Sequence, residues 1–259
     1  MEKAIDVSNY SGVFGAAAVA CWREQGFDHI VCGTQRPEIT RRQLEAAVAG
    51  GMGVAAYAYL YWRSDVVEAV QRALAAVDGF AIERLWLDCE DVRGALTAED
   101  VVGRIAAAAA ACGDFPHGIY TGRWWWVPNT DNSSAFSHLP LWHAEYTGSP
   151  QSLPDFGRFL PYGGWSRPLM WQFQGTTSLC GVSVDLNLRD VTASEPPPLG
   201  GDERWELEVL RAGQRFLGAL HSGRFALRPV PERRDSVELV KVVDGEWVAF
   251  EPPCTLVVD

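Results

Sequence analysis

The chain has 259 residues, 47% hydrophobic and 21% charged, a balance ordinary for a globular protein that forms one large domain or a medium domain plus a small one. Its formal net charge of -11 excludes a nucleic-acid partner, which wants a basic stripe, and disfavours adhesion to anionic membranes or teichoic acids by bulk charge. The opening "MEKAIDVSNYSG" has no apolar signal core, and nothing later approaches about 18 uncharged apolar residues, so synthesis in the cytoplasm without an export signal is expected.

Through residue 121 short apolar runs alternate with longer helical patterns. Ala4–Ser8 reads as a strand and Phe14–Gln25 as a helix. His29–Gly33 is a second strand, followed by "TRRQLEAAVAGG", where Thr40 and Gln43 suggest a capping box and the two glycines a stop. Val54–Leu60 is the third strand, and Ser64 is expected to cap a helix reaching Asp78. Arg84–Glu90 is the fourth. Thr97 and Asp100 bracket the start of a helix through the alanine run, ended by Gly113, and His117–Thr121 is the fifth strand. This alternation predicts parallel βαβ units. After Gly122 helical patterns nearly vanish, and strands are expected at Leu139–Ala144, Leu169–Gln174 and Ser183–Leu188. The pattern predicts an α/β barrel lacking its last outer helices, with any chemistry at the C-terminal strand ends.

Residues 1–193 therefore read as one barrel domain, and 194–203, within "ASEPPPLGGDE", as a Pro/Gly-rich linker. Residues 204–259 read as a small all-β domain, in which Asp244-Gly245 between alternating runs signals a hairpin. That region carries 8 basic and 9 acidic residues, so the excess acidity belongs to the barrel. Six cysteines, at 21, 32, 89, 112, 180 and 254, form no CxxC pair and accompany no histidine cluster. No metal site is expected. Their even number permits disulfides, but they read as free, mostly buried thiols.

The stretch "RLWLDCEDV" (84–92) drives an apolar strand into carboxylates. Side chains alternate, so Asp88 and Glu90 share a face, about 6.5–7 Å apart along the backbone, and Cys89 takes the other. Two carboxylates that close can split their roles, one charged and one holding a proton near neutral pH. Glycoside hydrolysis needs such a pair, and needs no cofactor. A solvated strand end would also look like "DCED". What tilts the reading is Asp6 in "AIDVSNYSG" and Asp185 in "GVSVDLNL": four acids at barrel strand ends converge on one mouth.

These residues resemble glycoside hydrolase family 25, the lysozyme-type muramidases that cut bacterial peptidoglycan. The matching strings run in order from residue 4 to about 190: "DVSNYSG", "AYAY", "LWLDCE", "PHGIYTGRWWW", "LPLWHAEY" and "LMWQFQGTTSLCGVSVDLNL". The resemblance implies an incomplete TIM-like (β/α)5β3 barrel. It implies Glu90 as general acid, Asp88 as support for the substrate's acetamido group during net retention, and Asp6 and Asp185 as shapers of the field at the mouth. It also implies Tyr57 and Tyr120 flanking the scissile sugar. Trp125, Trp142 and Trp171 are candidates for sugar stacking or for the core, and His117, His138 and His143 read as structural or surface residues. Tyr57-Ala58-Tyr59 replaces the family's common Tyr-His-Phe, and "CGTQRPEIT" replaces a usual basic residue and acidic loop. Both departures bear on substrate preference rather than on reaction type.

The expected activity is hydrolysis of the β-1,4 bond between N-acetylmuramic acid and N-acetylglucosamine, by a phage endolysin or particle-associated lysin acting on the wall after release. A non-catalytic glycan-binding or scaffold barrel, and a hydrolase of another N-acetylated glycan such as chitin, are the competing readings. For 204–259, wall binding, docking onto phage or injection-particle components, and self-association all remain open.

Overall fold

The computed structural model describes residues 1–146 and 153–191 and, between 205 and 257, the backbone of six strands. The chain falls into two compact units, Met1–Glu195 and Pro196–Asp259. The first is built on β1 (Glu2–Val7), α1 (Ala16–Glu24), β2 (Phe27–Gly33), α2 (Pro37–Ala49), β3 (Gly53–Tyr59) and α3 (Val66–Val77). It continues through β4 (Leu85–Asp88), α4 (Ala98–Ala111), β5 (His117–Thr121), α5 (Arg123–Thr130), β6 (Leu141–Ala144), β7 (Met170–Leu179) and β8 (Val182–Arg189). The eight strands form a closed barrel in sequence order. Strands β1 to β7 are parallel to their neighbours, and β8 closes the ring antiparallel to both β7 and β1.

Local chemistry accounts for most boundaries. Helix α4 starts as its sequence suggests, with Thr97 and Asp100 capping each other's backbone, and Gly113 follows it at φ 55. Helix α3 is capped by Asp65, one residue after the expected Ser64, and buries Val66, Val70, Ala73 and Val77 along one stripe. Helix α2 begins at Pro37 rather than at a Thr40 capping box. Thr40 and Gln43 instead face inward. The Thr40 hydroxyl donates to the Gly33 carbonyl at 2.7 Å, and the Gln43 amide donates to the Ser8 and Gly12 carbonyls at 3.0 and 2.8 Å. The sequence reading also passed over α5, whose three tryptophans and internal Pro128 hide its period.

Two cores result. One lies between strands and helices, with Ile5, Ile30, Leu44, Leu87, Ile105 and Ile119 at its centre. The other fills the barrel with Ala4, Val31, Ala55, Tyr57, Trp86, Tyr120, Trp142 and Met170. Its two indoles fit because small residues oppose them: a Cβ on Gly118 would sit 2.6 Å from the Trp86 ring. The barrel interior is thus filled by side chains.

Cys21 and Cys180 form a disulfide across a sequence separation of 159, which corrects the expectation of free thiols at those positions. Helix α1 and the β7–β8 turn meet only through closure of the barrel, which local spacing cannot reveal. Cys32, Cys89 and Cys112 are free and buried, and Cys254 lies outside the described residues. Among the described residues no helix is long and apolar enough to cross a membrane.

In the second unit, β9 (Trp205–Arg211), β10 (Gln214–Leu220), β11 (Arg224–Val230), β12 (Arg233–Val243), β13 (Glu246–Ala249) and β14 (Thr255–Val257) form one sheet. Its order is β10-β9-β11-β12-β13, with β14 also on β12. Strands β12 and β13 pair antiparallel from Val243 and Glu246 outward. The Asp244-Gly245 pair between them, and the stretch 194–203, lie outside the described residues.

Candidate active site

Because β1 to β7 point the same way, their C-terminal ends share one mouth, and four carboxylates stand there. Asp6 is the second-last residue of β1 and Asp88 the last of β4. Glu90 follows two residues on, and Asp185 lies on β8. Asp6 and Asp185 are directly opposed across the antiparallel β1–β8 pair, and Asp88 neighbours Tyr59 on β3 and Tyr120 on β5. Asp6 and Asp88 are buried, while Glu90 and Asp185 are half-buried.

A neutral side chain ties the group together. The Gln172 amide on β7 donates to Asp6 Oδ2 at 2.9 Å and to Asp185 Oδ2 at 3.3 Å, while its oxygen accepts from the Tyr120 hydroxyl at 2.8 Å. Asn187 donates to the same Asp6 oxygen at 2.7 Å and is held by the Trp142 indole N–H at 2.8 Å. Asp185 also accepts the backbone N–H of Thr176 at 2.6 Å. Thr176 takes a left-handed φ of 53, the kind of local strain that recurs where geometry serves a site. Glu90 Oε2 lies 3.4 Å from the Tyr120 hydroxyl. Asp88 Oδ1 is buried without a hydrogen-bond partner.

The electrostatics follow from burial and crowding. Burial, then Asp185, pushes Asp6 up to about 8 against the pull of its two amide donors. Burial, then Glu90 and Asp6, raises Asp88 well above the usual carboxylate range. Glu90 is raised by burial, with Tyr120 opposing and Asp185 adding, and burial raises Asp185 against the Thr176 N–H. Each group is thus kept closer to its neutral form, and the cluster holds fewer than four charges at neutral pH. Among the described residues no group of three or more His, Cys, Asp or Glu is placed to hold a metal ion.

The aromatic candidates divide by burial. Trp125, Trp142 and Trp171 are 3%, 1% and 5% exposed, so none offers a ring face to a sugar. Their indole N–H groups are used internally, on the Asp91 carbonyl, the Asn187 side chain and the Glu145 carbonyl. Tyr57 is also buried inside the barrel, 6.4 Å from the Trp142 ring. Tyr120 is buried but reaches the acid cluster through its hydroxyl. The open rings among the described residues follow strand ends: Tyr10 after β1, Tyr61 after β3, Trp124 after β5 and Tyr146 after β6, at 92%, 49%, 64% and 60% exposure. Tyr146 also approaches Gln172, its hydroxyl 3.4 Å from the amide oxygen.

Gln172, Asn187, Tyr59 and Tyr146 belong to the mouth; the sequence carries them only inside the strings that resemble or depart from the family pattern, and assigns none of them a role. Asn187 was within reach, since it shares the face of Asp185 two residues away. Of the histidines, His143 is buried beside the Tyr162 hydroxyl at 3.0 Å, and His117 faces the Phe115 carbonyl at 2.9 Å.

Comparison with known proteins agrees with this architecture. A family model described as "Glycosyl hydrolases family 25" matches residues 5–182. A curated relative, "Probable GH family 25 lysozyme 3" of Dictyostelium discoideum, is 33% identical over 152 residues, covering 56% of this chain and 31% of that protein. The chain thus spans about a third of that relative's length. Among solved structures, a muramidase from Trichobolus zukalii aligns with a TM-score of 0.56 at 21% identity, over 73% of this chain and 94% of that one. The spore cortex lytic enzyme SleM of Clostridium perfringens aligns with a TM-score of 0.56 at 16% identity, over 100% of this chain and 98% of that one. These last two likenesses speak to the fold alone. With a family model matching well over half of its residues, this chain belongs to glycosyl hydrolase family 25.

Proposed function

We propose that the barrel is a peptidoglycan-hydrolysing N-acetylmuramidase that cuts the β-1,4 bond between N-acetylmuramic acid and N-acetylglucosamine. In this reading the barrel is a (β/α)5β3 member of the TIM-like class, residues 1–193 are the catalytic domain, and 204–259 are a wall-binding, docking or self-association module. Glu90 is the general acid. Asp88 accepts the substrate's acetamido N–H, so that the acetamido oxygen attacks the anomeric carbon and configuration is retained. Asp6 and Asp185 hold the field, and Tyr61, Trp124 and Tyr146 line the glycan path.

The observation that carries the reading is the contrast between Asp88 and Glu90. Asp88 lies deep at the strand end, 4% exposed, with one oxygen lacking any donor, whereas Glu90 is half-buried at the mouth beside Tyr120. In the empty site the proton is better placed on Asp88, the more desolvated of the two. An acetamido N–H donated to Asp88 stabilises its ionised form, and repulsion between the pair then favours the proton on Glu90. Substrate binding thereby loads the acid. The step that follows breaks the glycosidic C–O bond while Glu90's proton moves to the leaving oxygen. Water, deprotonated by Glu90, then opens the cyclic oxazolinium-type intermediate.

The test is muropeptide analysis of purified sacculi digested by wild type and by Glu90→Gln. New reducing N-acetylmuramic ends from wild type alone support the reading. Retained sacculus binding without cleavage by either protein would replace it with a glycan-binding or scaffold barrel. Release by phage lysis, or carriage on a particle, is the delivery this reading favours.

A further inference from the structure

Trp62, in the loop after β3, and Trp125, in the first turn of α5, converge on one atom. The Trp62 indole N–H donates to the Asp91 carbonyl at 3.0 Å, and the Trp125 indole N–H donates to the same oxygen at 2.8 Å. The two rings stack, with centroids 5.5 Å apart and planes inclined by 21°, and both are almost wholly buried. The Trp62 backbone N–H also donates to Asp91 Oδ2 at 3.1 Å. Both acceptor directions of that carbonyl are therefore filled by rigid donors, and its residue is held a third time through its side chain.

The other side of Glu90 is fixed as well. The Cys89 N–H donates to the Tyr120 carbonyl at 2.9 Å, and the Cys89 carbonyl accepts the Thr121 hydroxyl at 2.8 Å. Glu90 thus hangs between two anchored peptide groups at a point where its strand has already ended. Buried indoles need an acceptor each, and packing alone would be served by any two carbonyls. Here both spend their N–H on the carbonyl of Asp91, the residue that follows Glu90.

We infer that Trp62 and Trp125 are positioning residues that hold the Glu90 carboxyl in register with the scissile bond, acting through the Asp91 backbone. The inference rests on the muramidase reading for the meaning of that register, but the clamp itself is measurable without turnover. Around Glu90 stand Asp88 on its own segment, Asp6 from β1, Tyr59 from β3, Tyr120 from β5, Tyr146 after β6 and Asp185 from β8. A carboxyl that swings out of this enclosure gains water and leaves the other acids behind, so its proton affinity falls.

The experiment uses the full chain with 13C-labelled glutamate, the Glu90 resonance being assigned by its loss in Glu90→Gln. Trp62→Phe and Trp125→Phe keep a ring and remove the N–H. Benzothienylalanine at either position keeps the whole indole shape and replaces the N–H by sulfur, which separates the hydrogen bond from packing. The clamp predicts that Glu90 titrates at lower pH in each of these proteins. On soluble glycan chains it predicts kcat reduced about tenfold with KM within twofold, in keeping with the rate cost of a misplacement of about 1 Å or less. An unmoved Glu90 titration in the benzothienylalanine proteins overturns the clamp, whatever happens to the melting temperature. If wild type cleaves no glycan the muramidase reading falls, and the titration still decides the clamp.

Discussion

Asp6 and Asp185 face each other across β1 and β8 and share a single donor, the Gln172 amide. Its two N–H hydrogens can serve one acid each, and Asn187 and the Thr176 N–H add a second donor to Asp6 and to Asp185. Charges this close still repel, and Asp185 bears on Glu90 as well. A general acid must be protonated to work, so the rate falls as pH rises through the Glu90 pKa. Asp185→Asn removes the charge that helps hold that pKa up, while leaving an oxygen for the Thr176 N–H. The alkaline limb of kcat/KM is expected to move to lower pH, with the product unchanged. A limb that stays in place, read from a pH profile on soluble glycan, would show that Asp185 does not act on Glu90.

Asp6 also leaves a mark on stability. Its folded pKa of about 8 lies above the ordinary 3.8, so between those values the folded state holds a proton that the unfolded chain gives up. Stability therefore falls as pH rises through that window. Buried His29, lowered to about 3, acts in the opposite sense but only below its ordinary 6.5, so the interval from pH 6.5 to 8 isolates the acids. Wild type is expected to melt lower at pH 8 than at pH 6.5, by about 2–4 °C per kcal/mol lost for a chain of this size. Asp6→Asn should flatten that slope, and calorimetry at the two pH values measures it. Equal slopes in the two proteins would mean that Asp6 is already ionised in the fold.

The sequence disclosed the parts of this site that obey a short period or carry charge. Alternation in β1, β4 and β8 put Asp6, Asp88 and Asp185 on inward faces, and the βαβ rhythm put their ends together. Gln172 stands in the most specific of the resembling strings, but its role is not legible there: a neutral amide in the apolar run "LMWQFQG" bears no charge to mark it, and its importance lies in partners as far as 166 residues away. Helix α5 escaped because Pro128 and three consecutive tryptophans give no clear apolar stripe. The tryptophans could not be told apart for a related reason: in "GRWWW" the residues differ only in the direction each faces, and helical geometry buries Trp125 and Trp126 while leaving Trp124 outside.

That distinction is testable by substitution. Trp124→Ala removes an exposed ring after β5 and is expected to raise KM on glycan chains about two- to tenfold, the worth of an aromatic contact of about 0.5–1.5 kcal/mol, with little change in melting temperature. Trp142→Ala empties the barrel interior and strips Asn187 of its donor, so a loss of about 3–5 kcal/mol is expected. Chemical denaturation beside steady-state kinetics separates the two. An unaltered KM in Trp124→Ala would remove that ring from the glycan path.

The Cys21–Cys180 disulfide supplies the last prediction. It joins α1 to the tight β7–β8 turn, where Cys180 and Gly181 both take positive φ, as a two-residue hairpin of the primed kind requires. The same turn receives a second tie from α1, the Trp22 indole N–H donating to the Leu179 carbonyl at 3.2 Å. A bridge closing a loop this long restricts the unfolded chain strongly, and removing one from a folded domain costs about 2–5 kcal/mol. Both cysteines are only half-buried, which leaves the bridge open to a reductant. Wild type should therefore melt lower in the presence of a thiol reductant, while the Cys21→Ser/Cys180→Ser protein should melt at that lower temperature with or without it. Because Trp22 still holds the hairpin in the double variant, the barrel should close and Thr176 should keep its contact with Asp185, so kcat well below the melting temperature should stay within about twofold, the spread of an otherwise neutral change. A reductant-sensitive melting point in the double variant would place the redox effect at other cysteines.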